Sequence, residues 1–78
     1  MPEEHKAAEE AVGWTLTPAD IEAAVERWEE VTTPGVRKTL QIAIVAFEST
    51  GGRGVELADE IDKMRIALAV RECRENRG

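Results

Sequence analysis

The stretch TLQIAIVAF, residues 39–47, has one strongly polar side chain, Gln41, between Leu40 and Phe47, and whatever buries it decides how a chain of 78 residues can fold. As a strand it would show Leu40, Ile42, Ile44 and Ala46 on one face and Gln41, Ala43, Val45 and Phe47 on the other, apolar on nearly both sides. No other segment reads as a strand, so its backbone N–H and C=O groups would lack partners. Context therefore overrides the β-branched Ile and Val, and a helix over about residues 34–49 is expected, with Gly51 just beyond as its stop. At about 100° per residue, Val36, Leu40, Ala43, Ile44 and Phe47 share one face. Ile42, Val45 and Ala46 spread over the opposite side, and Arg37, Gln41 and Glu48 form a narrow polar strip between them. So apolar a helix is expected at the centre of the fold.

Two further helices follow from start and stop signals. In LTPAD, Thr17 is placed as N-cap, Pro18 at the first helical position and Asp20 three residues after the cap, with Leu16 positioned to staple against Ile21. Ile21, Ala24, Val25, Trp28 and Val31 then recur on one face, while Glu22, Glu26, Glu29 and Glu30 lie away from it. TTPG at 32–35 ends that helix and opens the next, with Thr33 as cap and Pro34 in the first position. After the flexible ESTGGRG, a helix over about 55–75 begins with Glu56, Asp59 and Glu60 and closes with Arg71 and Arg74, matching its macrodipole. Its main apolar seam is Leu57, Ala58, Ile61, Met64 and Leu68; a second seam, Val55, Ile66, Val70 and Cys73, is surplus to a three-helix packing. Residues 1–13 form helix readily but offer only Ala7, Ala8, Ala11 and Val12, too little bulk to hold against a core, so fraying is expected.

Composition narrows the class. With 42% hydrophobic and 33% charged residues the chain is too apolar for disorder, and a single Cys precludes an internal disulfide, which suits a reducing cytoplasmic setting. Met1 is followed by Pro2, Glu3 and Glu4, not by the basic start of a secretory leader, and the longest apolar run falls far short of the roughly 20 residues of a membrane span. The net charge of −6 is uneven: residues 1–33 carry nine acids and two bases, and residues 34–78 seven acids and eight bases. An acidic front half disfavours nucleic acid and membrane surfaces and favours basic partners, although a moderate net charge most often serves only solubility, the commoner role.

Reactive constellations are missing. His5, the one histidine, has no second ligand at metal spacing and is expected to be solvated. Cys73 sits among Arg71, Arg74 and Arg77, whose charge could activate a thiolate, but a small residue on an apolar seam is the commoner role. GGRG lacks the strand, lysine and hydroxyl of a phosphate loop, and reads as a connector. Trp28 reads as core; Trp14, beside Gly13, reads as a lid or as an exposed anchor for a partner.

The expected molecule is an all-α domain over residues 1–78. It is a small three-helix bundle around the second main helix, or a four-helix one counting residues 1–13, and it is dimeric. Binding is expected rather than catalysis, with no cofactor and no metal, because apolar surface exceeds what one small core uses. The chain reads as a small acidic regulator or adaptor that binds itself and, in addition, another protein. Ile42, Val45, Ala46, Val55, Ile66, Val70, Cys73 and Trp14 are its expected interface. Two alternatives stand beside this reading. One is a helix-turn-helix-like DNA-binding regulator using Arg37, Lys38 and Gln41; the other is a non-catalytic small subunit of an enzyme complex.

Overall fold

The computed structural model describes residues 3–77 as four helices: α1 (Glu3–Val12), α2 (Pro18–Arg27), α3 (Thr33–Ser49) and α4 (Val55–Arg77). No strand occurs among the described residues, and TLQIAIVAF lies wholly within α3. Residues 1 and 2 of the expected N-terminal segment lie outside the described residues.

The local signals act largely as the sequence implies. Thr17 caps α2: its hydroxyl accepts from the Asp20 N–H at 3.1 Å, and the Asp20 carboxylate accepts from the Thr17 N–H at 3.0 Å, a reciprocal capping box. Gly51 and Gly52 both take positive φ, +72° and +73°, and their N–H groups bond back to Glu48 and Phe47, which turns the chain from α3 towards α4. Two boundaries differ from expectation. The cap of α3 is Thr32, whose hydroxyl accepts from the Gly35 N–H at 3.2 Å; Thr33 is thereby free to donate its hydroxyl to Glu75 at 2.6 Å. α2 stops at Arg27 rather than running through Val31, because the carbonyls of Trp28, Glu29 and Val31 all accept from the guanidinium of Arg71.

The centre of the molecule is α4, not α3. Only α4 packs against all three other helices, and α3 packs against α4 alone. The reason lies in the two seams of α4, each of which feeds a separate core. Ile61 and Met64 pack with Val36 and Ala43 of α3, joined by Trp28, Val31, Leu40, Ile44, Phe47, Leu57 and Leu68. Ile66 and Val70 pack with Ala8, Leu16 and Ala24, joined by Val12, Ile21 and Val25. The seam expected to be surplus is thus partly covered from within, by α1 and α2.

α1 accordingly docks rather than frays. Its packing against α4 is the most extensive in the fold, and Ala8 is completely buried. Alanines supply no bulk, but they let helix axes approach closely, and here the bulk comes from Ile66 and Val70 on the facing helix. Polar contacts fix the same interface. The Nε2–H of His5 donates to the Leu16 carbonyl at 2.8 Å, and Glu9 accepts from the Leu16 N–H at 2.8 Å, so one i,i+4 pair holds both backbone groups of residue 16. His5 is therefore a structural clamp, not a solvated side chain.

Candidate functional site

On α3, Val36 and Ala43 are buried against α4, with Leu40, Ile44 and Phe47 beside them. The helical repeat then turns Lys38, Ile42, Val45 and Ser49 to the far side, where all four are exposed, with Ala46 alongside. Ile42 is 62% and Val45 64% accessible. This stripe runs about 16 Å along the helix, from Lys38 to Ser49, at 1.5 Å per residue. Ser49 directs its hydroxyl to the Val45 carbonyl at 2.9 Å, and Thr39 directs its own to Gly35 at 2.8 Å. Both hydroxyls are therefore engaged by their own helix, and Ile42 and Val45 stand exposed between Lys38 and Glu48 with Gln41 on the flank.

The Cα positions span 37 × 25 × 17 Å, and α3 lies at the edge, against α4 alone. A helix so placed is not enclosed by this chain alone. The flank of α3 is instead secured by polar ties to α4: the Thr33–Glu75 hydrogen bond and an Arg37–Glu72 ion pair at 3.2 Å.

The other expected interface residues scatter. Val55, at the first turn of α4, is 83% accessible, and Trp14, in the α1–α2 connection, is half-exposed above a shallow hollow lined by Lys6, Glu9 and Gly13. Cys73 is partly buried where α4 meets Ala7 of α1. Ile66 and Val70 are 3% and 0% accessible inside the first core and cannot be reached by another chain without unfolding. Of the eight, only Ile42, Val45 and Ala46 form one continuous exposed patch.

Arginines near the end of α4 serve the fold. Arg71 holds the end of α2, while Arg74 and Arg77 both bind the Glu4 carboxylate on α1, Arg74 at 2.8 Å. Position alone relates Arg71 and Arg74 to the macrodipole of their own helix; their reach across to neighbouring helices carries no local signature. Burial lifts the Glu4 carboxyl, but the hydrogen bonds and charges of Arg77 and Arg74 outweigh it and hold its pKa below the ordinary value. Trp28 belongs to the second core, with the Arg27 guanidinium 5.2 Å from its ring centroid.

The helix-turn-helix alternative requires a first helix braced on the recognition helix. α2 makes no packing contact with α3, and only the turn residues Trp28 and Val31 reach the core of α3. Arg37 is engaged by Glu72, whereas Lys38 and Gln41 stand exposed beside Ile42 and Val45. Among the described residues no three His, Cys, Asp or Glu side chains gather as a metal site would need, and no helix is long and apolar enough to cross a membrane. No protein family, curated protein or solved structure matches this chain.

Proposed function

We propose that this chain is a protein-interaction module, a small regulator or adaptor whose output is binding rather than chemistry, and that its first partner is a second copy of itself. One observation carries the reading: Ile42 and Val45 stand exposed on a helix that packs against a single neighbour. The stripe is suited to pairing with itself. Placing a two-fold axis midway between residues 42 and 45 sets two α3 helices antiparallel. Ile42 of each copy then meets Val45 of the other, and Lys38 lies beside Glu48 and Ser49 of the other. Apolar contact is flanked by opposite charge at both ends, and α3 gains the missing cover on its outer side.

Light scattering at micromolar concentration tests this directly. The wild type is expected at twice the 8.6 kDa chain mass, and Val45→Glu at the single mass with an unchanged helical circular dichroism spectrum. A wild type of single mass at that concentration would remove self-association from the proposal.

A further inference from the structure

α2 buries Ala24 completely but leaves Ile21 and Val25 only partly covered. With Pro18, these two floor an open groove between α2, the start of α1 and the end of α4. One wall is the exposed edge of α2 and the turn after it, where Glu22, Glu26 and Glu29 follow one another at i, i+4 and i+7. Like charges at that spacing oppose helix formation. None of the three has an ion-pair partner among the described residues. The opposite wall does not compensate: its cation, Arg74, already binds Glu4, and His5 is engaged by the Leu16 carbonyl. The result is an apolar strip about two helical turns long, from Pro18 to Val25, bordered by uncompensated negative charge.

We infer that this groove receives a basic amphipathic helix of another protein, its apolar side chains on Ile21 and Val25 and its Lys or Arg side chains against Glu22, Glu26 and Glu29. A second copy is a poor fit, because every copy brings the same acidic front half and a net charge of −6. The inference rests on the reading of the chain as a binding module, but it uses a different surface from the α3 stripe and names a different partner class.

The test is a titration of isotope-labelled wild-type protein with a short Leu/Lys amphipathic helix, and with its Leu/Glu counterpart as control. Saturable binding of the Leu/Lys helix alone is expected, with amide shifts centred on Ile21, Val25 and Glu26 and affinity falling as salt rises. Glu22→Lys with Glu26→Lys should weaken binding more than tenfold, about 1.4 kcal/mol by the conversion of affinity to free energy, and Glu22→Gln with Glu26→Gln by less. Both pairs are surface changes, so the circular dichroism spectrum and the mass by light scattering should match wild type. Unchanged affinity in the charge-reversed protein, or shifts centred on Ile42 and Val45 or spread over the whole acidic surface, would overturn the groove assignment. Val45→Glu should leave the titration as it is in wild type, so loss of self-association and loss of peptide binding are read separately.

Discussion

Arg71 donates to the carbonyls of Trp28, Glu29 and Val31, acceptors that the end of α2 leaves without helical partners, and in doing so fixes where α2 stops and how the chain enters α3. Hydrogen bonds from a charged donor contribute more than neutral ones, and a planar fork can serve several acceptors at once. Arg71→Ala is therefore expected to lower the free energy of unfolding by about 2 kcal/mol, measured by urea denaturation, a figure that allows for partial exposure. Arg71→Lys should recover less than half of that, because an ammonium group cannot reproduce the fork; full recovery would mean that charge alone matters. Two carboxylates give the pH dependence. Glu4 sits below its ordinary 4.5 because Arg77 and Arg74 outweigh the effect of burial. Asp20 sits below its ordinary 3.8 through the Thr17 backbone N–H and then the Thr17 hydroxyl. A carboxyl whose pKa is lower in the folded than in the unfolded chain contributes stability that is complete above the unfolded value and lost as pH falls through the folded one. The urea midpoint should thus fall as pH drops below about 4.5, and Glu4→Gln should flatten that decline. An equal decline in Glu4→Gln would show that the Arg74–Arg77 clamp plays no part in it.

At the scale of elements, α1 is the test of what holds the fold. Removing residues 1–12 would expose Ile66 and Val70, which are now 3% and 0% accessible, and would discard the clamp of His5 and Glu9 on Leu16. Fully burying one such side chain contributes about 1.5–3 kcal/mol, and small domains have only a few such increments to lose. The truncated chain is expected to melt far below the full chain in circular dichroism, or not to fold; a melting temperature within a few degrees of the full chain would show α1 to be dispensable. The sequence favours the opposite outcome if helices are judged one at a time, since Ala7, Ala8 and Ala11 carry no bulk. What decides the matter is complementarity across a helix pair, large on α4 against small on α1, which only the packed structure displays. Most signals that act over three or four residues are legible, namely the Thr17–Pro18–Asp20 start of α2, the glycine stop after α3 and the helical reading of TLQIAIVAF, whereas the cap of α3 falls on Thr32 rather than the expected Thr33. Long-range partners are not legible: Glu4 with Arg77, His5 with Leu16 and Arg71 with the end of α2 join residues that no local pattern relates. The candidate site divides the same way. The outward position of Ile42, Val45 and Ala46 follows from the period of α3 alone, whereas the inward position of Ile66 and Val70 depends on α1 docking.

For the whole molecule, two substitutions of one chemical kind separate the core from the proposed contact between copies. Val70 is completely buried beneath α1 and α2, so Val70→Glu forces a carboxylate into the first core with no partner to pair it; an uncompensated buried charge of this kind costs several kcal/mol, comparable with the whole stability of a small domain. The expected product is an unfolded or partly helical chain, not a folded monomer. Val45 is 64% accessible on the outer stripe of α3, so Val45→Glu leaves both cores intact and acts only where two copies would meet. Because association stabilises the folded chain by mass action, the wild type should melt at a higher temperature as protein concentration rises. Val45→Glu should melt at one temperature over the same range, close to the low-concentration limit of the wild type. Melting curves from low to high micromolar protein, followed by circular dichroism, measure both. A wild-type transition that does not move with concentration would leave the outer stripe of α3 without its proposed partner, and a Val45→Glu protein that loses its helical signal along with Val70→Glu would place Val45 in the support of the fold.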